Sequence, residues 1–201
     1  LILLALDTST PHLLLGLLQE NKMKSQVIKT LPTHGEVIFH HVVEFLCANE
    51  VSLNQLNTVI VSGGPGSFTG TRVGWASALG LAEGLGIGCV SVSGLDALGY
   101  LDRHSRQQGW AIFDARRGRY YAGLFQEGMR LGEFRDAPLE DLVAQCPRFY
   151  GPNLPVDWHK IGSGILIDDW TEGLLALGQE KFIKKQFIQP GEGPIYLRPS
   201  V

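Results

Sequence analysis

The first stretch of the chain alternates apolar runs with turn residues. Leu1–Leu6 is apolar, Asp7-Thr8-Ser9-Thr10-Pro11 carries turn chemistry, and Leu13–Gln19 is apolar again, which predicts a β-hairpin. A third strand around Met23–Lys29 follows the turn at Glu20-Asn21. From Gly35 to about Asn49 the pattern becomes helical. Its apolar positions (Val37, Ile38, Phe39, Val42, Val43, Phe45, Leu46, Cys47) cover an arc of roughly 200°, where a surface helix needs only about 100°. The surplus predicts either a helix buried on two sides or one whose second side meets another protein. Thr58–Val61 is a β-branched run suited to a buried strand. A Gly-rich segment, 62–70, leads into a helix over Thr69–Leu85. There Gly70, Gly74, Ala78 and Ala82 recur at i, i+4 and form a stripe of small residues that admits a close neighbour. Gly88–Ser93 reads as a strand and Gly94 to about His104 as a helix.

A second unit begins near Gln108. Trp110–Phe113 is apolar, Asp114-Ala115-Arg116-Arg117-Gly118 is a polar turn, and Tyr120–Phe125 is apolar again, so the opening motif recurs with an Asp at the end of its first strand. After Met129–Phe134 come a short helix over Leu139–Ala144, a strand over Arg148–Tyr150, Gly162-Ser163-Gly164, and a last segment ending Pro194-Ile195-Tyr196-Leu197-Arg198. Strands followed by helices in each half predict an α/β protein with mixed sheets in two related lobes, residues 1–105 and a smaller 106–201.

The 201 residues, 44% hydrophobic and 18% charged, suffice for a real core. The net charge of -3 and a densest basic cluster of only Arg116, Arg117 and Arg119 argue against strong nucleic-acid binding by this chain alone. Cys47, Cys89 and Cys146 form neither a CxxC pair nor a disulfide framework, which suits reduced thiols in a cytoplasm. No apolar run approaches the ~18 residues of a membrane span, and no signal-peptide pattern is visible.

Ser62-Gly63-Gly64-Pro65-Gly66-Ser67-Phe68-Thr69-Gly70-Thr71-Arg72-Val73-Gly74 closely resembles the signature of the TsaB (YeaZ) family. Leu4–Ser9, Asp114–Arg117, Ile161–Gly164 and Pro194–Arg198 match in the expected order across nearly the whole chain. The resemblance implies two RNase H-like lobes of the actin-like ATPase (ASKHA) fold. It also implies a role beside TsaD, which carries the metal and nucleotide chemistry of threonylcarbamoyl transfer to an adenosine next to the tRNA anticodon. TsaB-like chains support that assembly, which TsaE joins in bacteria, and they form homodimers when alone. They are not thought to catalyse the transfer, and tRNA is reached only through the complex. The first-lobe helices form the contact with TsaD. On this chain that points to Ile38, Val42, Phe45, Gly70, Gly74, Ala78 and Ala82. No resident cofactor is expected, and whether ADP or ATP binds at the joint interface stays open.

Read residue by residue, the chemistry is sparse. The Gly-rich loop could cradle a phosphate, but it lacks the lysine of a P-loop and reads more simply as a strand-to-helix turn with an N-cap. In active ATPases of the resembled fold, aspartates at the positions of Asp7 and Asp114 help hold a metal–nucleotide pair, with glycines wrapping the phosphates. Here no glycine follows either one directly, and Pro11 offers no N–H, so Asx-type turns are the alternative. Asp7, Ser9, Asp114, Gly162 and Gly164 remain the candidates for a nucleotide site. His40 and His41 are adjacent and do not share a helix face, and no HExxH occurs, so no metal is assigned. Ser67 does not fit GxSxG, and Cys47 in its apolar helix reads as a buried thiol. Two competing readings are an independent ATP-dependent kinase or ATPase of the same fold and a metallopeptidase.

Overall fold

The structure is a computed structural model that describes residues 1–29 and 34–198. Strands β1 (Ile2–Asp7), β2 (His12–Gln19) and β3 (Lys22–Lys29) form an antiparallel meander. Helix α1 (His34–Ala48), β4 (Thr58–Ser62), α2 (Phe68–Leu85), β5 (Gly88–Val92) and α3 (Gly94–Tyr100) follow. β4 pairs parallel to β1 and β5 parallel to β4, so the first sheet runs β3-β2-β1-β4-β5.

The second half repeats this plan. β6 (Gly109–Asp114) and β7 (Arg119–Gln126) are antiparallel, and both β8 (Met129–Arg130) and β9 (Arg135–Pro138) pair with β7. Then come α4 (Leu139–Gln145), β10 (Arg148–Gly151), α5 (Trp158–Ile161), β11 (Ser163–Leu166) and α6 (Thr171–Ile183). β10 is parallel to β6 and β11 to β10, giving the order β11-β10-β6-β7-β8. Each half is an RNase H-like lobe, and together they make the actin-like α/β architecture that the repeated Asp-turn motif predicts.

Side-chain alternation explains why β1 reads as an unbroken apolar run. Leu3 and Ala5 point into the core between the two sheets, while Leu4 and Leu6 point into a second core under α1 and α2. A third core, built on Trp110, Ile112, Leu142 and Phe149, lies on the outer side of the second sheet. The layers therefore run α1/α2, first sheet, α3/α6, second sheet, α4/α5.

Helices α3 and α6 are exchanged between the halves. α3 packs on β6 and β7, whereas α6 packs on the first sheet. A division at residues 105 and 106 thus describes the two sheets and not the helices between them. The sequence pattern predicts α3 to about His104, but the helix stops at Tyr100 and residues 101–104 form a turn. It predicts no helix over 171–183, where α6 lies. α3 and α6 cross closely because Gly173 has no side chain: a Cβ there would run into the Ala97 backbone. Gly173→Ala is expected to force the helices apart and destabilise the protein by about 1–2 kcal/mol, read from the denaturant midpoint.

The seven residues expected at a partner surface face inward. Ile38, Val42, Phe45, Ala78 and Ala82 lie in the core beneath α1 and α2, each at most 4% exposed. Gly70 and Gly74 are also buried, and the neighbour their stripe admits is the chain itself. Thr8, in the β1–β2 turn, sits where their Cβ atoms would be, and its hydroxyl donates to the Gly70 carbonyl at 2.7 Å. The arc of α1 is divided between two environments. Phe39 and Val43 face outward, 46% and 43% exposed, and Cys47, expected to be buried, is exposed beside them.

The interlobe cleft and the outer face of α1 and α2

β1 and β6 both end in an aspartate on the side of the cleft between the lobes, Asp114 at its surface and Asp7 behind it. The cleft encloses about 480 Å³ and is lined on one side by Ser9, Thr10, Ser67 and Phe68, and on the other by Asp114, Ala115, Arg116 and Tyr121. Of the five nucleotide candidates, Ser9 and Asp114 line it. Asp7 lies behind this wall, 0% exposed, with both carboxylate oxygens in use. Oδ1 accepts from the Ser9 backbone N–H at 2.6 Å, and Oδ2 from the indole N–H of Trp170 at 2.7 Å. Asp114 repeats the turn at the surface, where its Oδ1 accepts from the Arg116 N–H at 2.7 Å. Both are Asx turns. Gly162 and Gly164 lie away from the cleft. A Cβ at Gly162 would meet the Pro147 carbonyl, and one at Gly164 the Trp158 ring, so both serve the packing of the second lobe's outer side.

The Gly-rich loop enters α2 as the structural reading requires. Gly64 has φ +80°, and Ser67 caps the helix by accepting from the Gly70 N–H at 3.3 Å. Behind the loop, the buried hydroxyls of Ser9 and Thr71 have no hydrogen-bond partner among the described residues. Across the cleft, Arg116 and Arg117 stand exposed in the left-handed region, φ +66° and +57°. Arg119 turns the other way and donates to Asp136 Oδ1 at 2.8 Å. Asp136 is also gripped by Arg198, whose hydrogen bond, ahead of opposing burial and the further pull of Arg119, holds its carboxyl below the usual carboxylate range.

No cluster of three His, Cys, Asp or Glu side chains gathers in a metal-binding arrangement among the described residues. His40 and His41 both contact Glu44, at 3.2 and 3.3 Å, on the outer side of α1. Burial pushes the Cys89 thiol up to about 12, against a smaller opposing effect from a backbone hydrogen bond at Val90. No helix among the described residues is long and apolar enough to cross a membrane.

Two groupings lie outside the residues that the sequence singles out. One is the outer face of the first lobe. α1 and α2 pack side by side on the same sheet face, so their solvent sides form one surface. α1 contributes Phe39, Val43 and Cys47 at i, i+4, i+8, and α2 contributes Ala76, Gly80 and Gly84 at the same spacing, all exposed. A Cβ at Gly80 or Gly84 would meet nothing within 4 Å. This second stripe lies two positions along from the first, and the sequence carries it openly. The other grouping is Trp170 behind Asp7, separated by 163 residues, for which local pattern gives no signal.

Two equivalent lobes, an Asx-closed hairpin at the end of each first strand and a cleft between them define a two-lobed protein of the actin-like class. Residues 29–161 match the family model described as TsaD: tRNA N6-adenosine threonylcarbamoyltransferase. The tRNA threonylcarbamoyladenosine biosynthesis protein TsaB of Haemophilus influenzae is 34% identical over 225 residues, covering 100% of this chain and 95% of its own length. The Bacillus subtilis TsaB is 30% identical over 93% of this chain and 75% of its own. Among solved structures, a Pseudomonas aeruginosa protein described as similar to peptidase YEAZ superposes with a TM-score of 0.78 at 25% identity, covering 98% of this chain and 99% of that one. The chain belongs to the TsaB (YeaZ) family.

Proposed function

We propose that this chain is a non-catalytic partner of a TsaD-type transferase in threonylcarbamoyl transfer to tRNA, acting in the cytoplasm. The observation that carries the reading is the outer face of α1 and α2. Phe39 and Val43 of α1 stand nearly half exposed, and Ala76, Gly80 and Gly84 give the neighbouring α2 an exposed face of small residues. Large apolar knobs on one helix and, on the helix packed against it, a face that another backbone can approach closely suit a helix-on-helix interface. Such contacts typically bury on the order of 1,600 Å² in total. The transferase's related lobe is the occupant, and the same patch serves a homodimer when the chain is alone, because a two-fold interface is self-complementary. TsaE joins the bacterial assembly, and tRNA is met through the complex.

The cleft supports the same assignment. Asp7 is committed to Trp170 and Ser9, which leaves it unavailable to a metal–nucleotide pair. Reconstitution tests the reading. Purified chain is expected to co-elute with a TsaD-type protein on size-exclusion chromatography. Threonylcarbamoylated tRNA should form far faster with it than without it. ATP turnover by the chain alone, or full transferase activity in its absence, would overturn the proposal.

A further inference from the structure

The last described residues cross from one lobe to the other. The Ile195 N–H donates to the Gly63 carbonyl at 2.8 Å, at the base of the Gly-rich loop. The Tyr196 hydroxyl accepts from Arg72 Nε at 3.0 Å, and its ring lies 5.4 Å from that of Phe68. The Arg72 guanidinium covers Phe68 at 3.7 Å. These contacts hold the segment to the first turns of α2. Two residues on, Arg198 is held by the other lobe. Its Nη2 donates to Asp136 Oδ1 and its Nη1 to the Ala115 carbonyl, both at 2.8 Å, and its Nε donates to Asp136 Oδ2. Asp136 is anchored in turn by Arg119 of β7. Phe68 and Ala115 are opposite walls of the cleft, so four consecutive residues tie one wall to the other.

We propose that residues 195–198 are a latch that sets how far the interlobe cleft opens, with Tyr196 as its anchor on α2 and Arg198 as its anchor on the second lobe. Two lobes joined mainly through shared helices can hinge or shear against one another, and a short segment bonded at both ends removes that freedom. A bidentate guanidinium–carboxylate pair is the strong, directional bond such a closure requires. The latch deepens the partner reading without depending on it for its own existence. Tyr196 grips Phe68 and Arg72 on the helix that presents the proposed docking face, so cleft opening and partner engagement act on one element.

The test uses the full chain, free of any partner, so its failure leaves the partner reading intact. With Cys47→Ser as background, spin labels are placed through Glu83→Cys on α2 and Glu140→Cys on α4, both exposed. The latched protein should give one narrow distance distribution. Arg198→Ala should broaden it and shift it, with an unchanged circular-dichroism spectrum. Tyr196→Ala should produce the same change, and the double variant no more than either alone, since one strap is cut at either end. Arg198→Lys, which keeps the charge and loses the fork, should fall between. A distribution unchanged in both single variants, or changes that add in the double, would overturn the latch.

Discussion

Glutamate at Val43 or Gly80 is expected to leave a folded monomer that no longer holds its partner, whereas glutamate at Val42 or Ala78 is expected to leave no folded protein. The four positions lie on the same two helices and differ in the direction they face. Ala78 is 0% and Val42 1% exposed, inside the apolar core between the first sheet and α1/α2. A carboxylate there has no cation to meet, and an uncompensated buried charge costs about 4 kcal/mol before any overpacking is added. Against the about 5–15 kcal/mol that holds an ordinary domain folded, that cost together with the overpacking of a glutamate side chain is enough to unfold it. Val43 is 43% exposed, and a Cβ at Gly80 has open space around it, so neither substitution disturbs the monomer. Gly80→Glu should even firm α2 by about 0.5–1 kcal/mol through helix propensity. Once the face is covered, the same carboxylate is trapped in a dry contact. A loss of 2 kcal/mol or more in binding, about 30-fold, should follow. Thermal melts followed by circular dichroism separate the two classes, and size-exclusion with a TsaD-type protein reads the second. A Val43→Glu chain that still co-elutes would place the docking face elsewhere.

That contrast also shows where the sequence was legible. Apolar runs mark β1, β2 and β4 because these strands are buried on both faces, whereas β3 is largely exposed and shows itself only as the strand that follows the turn at Glu20-Asn21. The repeat of strand, Asp and returning strand at Asp7 and Asp114 predicts the two-lobed plan, and the Asx turns that stand as the alternative to a metal–nucleotide site are present at both. The two stripes of α2 were harder to rank. Gly70, Gly74, Ala78 and Ala82 form one, and Ala76, Gly80 and Gly84 another, and small residues do not announce which way they face. Thr8, brought in from the β1–β2 turn, closes over Gly70 and Gly74, and the first sheet covers Ala78 and Ala82, so the first stripe is internal. On α1 the excess apolar arc predicts a second side that is either buried in the fold or met by another protein; the core takes Ile38, Val42 and Phe45 and leaves Phe39 and Val43 exposed.

The second lobe was less legible for a physical reason. Helix α6 carries Gly173 and Gly178, each of which lowers intrinsic helix propensity by about 1 kcal/mol relative to alanine. The glycines are there for tertiary contact: a Cβ at Gly173 would strike the Ala97 backbone, and one at Gly178 would meet the Ile60 side chain. The signal that identifies α6 as a close-packed central helix is the same one that hides it from local reading. The tail was visible as a motif, Pro194–Arg198, yet its partners Gly63, Arg72, Ala115 and Asp136 are spread over both lobes and no spacing rule connects them.

Removing the Asp7 carboxylate should weaken the fold by about 3 kcal/mol, because two buried donors, each worth about 1–3 kcal/mol when left unsatisfied, lose their acceptor together. The Ser9 N–H would be released from 2.6 Å and the Trp170 indole N–H from 2.7 Å, in a region where Asp7 and Trp170 are both 0% exposed. Trp170 stands immediately before α6, and its ring lies 5.0 Å from that of Phe113 on the second sheet. The Asp7–Trp170 bond therefore joins the first strand, the exchanged helix and the opposite lobe. Asp7→Ala should lower the denaturant midpoint with an unchanged m-value. Trp170→Phe, which keeps most of the ring packing and removes the N–H, should lower it by less. Because the two changes break one shared bond, the double variant should be less destabilised than the sum, with a coupling of about 1–2 kcal/mol in a double-mutant cycle. An aspartate held ready for a metal–nucleotide pair would behave in the opposite way. Its removal would spare or raise stability and abolish turnover, the usual trade at a site strained for chemistry. An Asp7→Ala protein as stable as its parent would thus reopen the catalytic reading of the cleft.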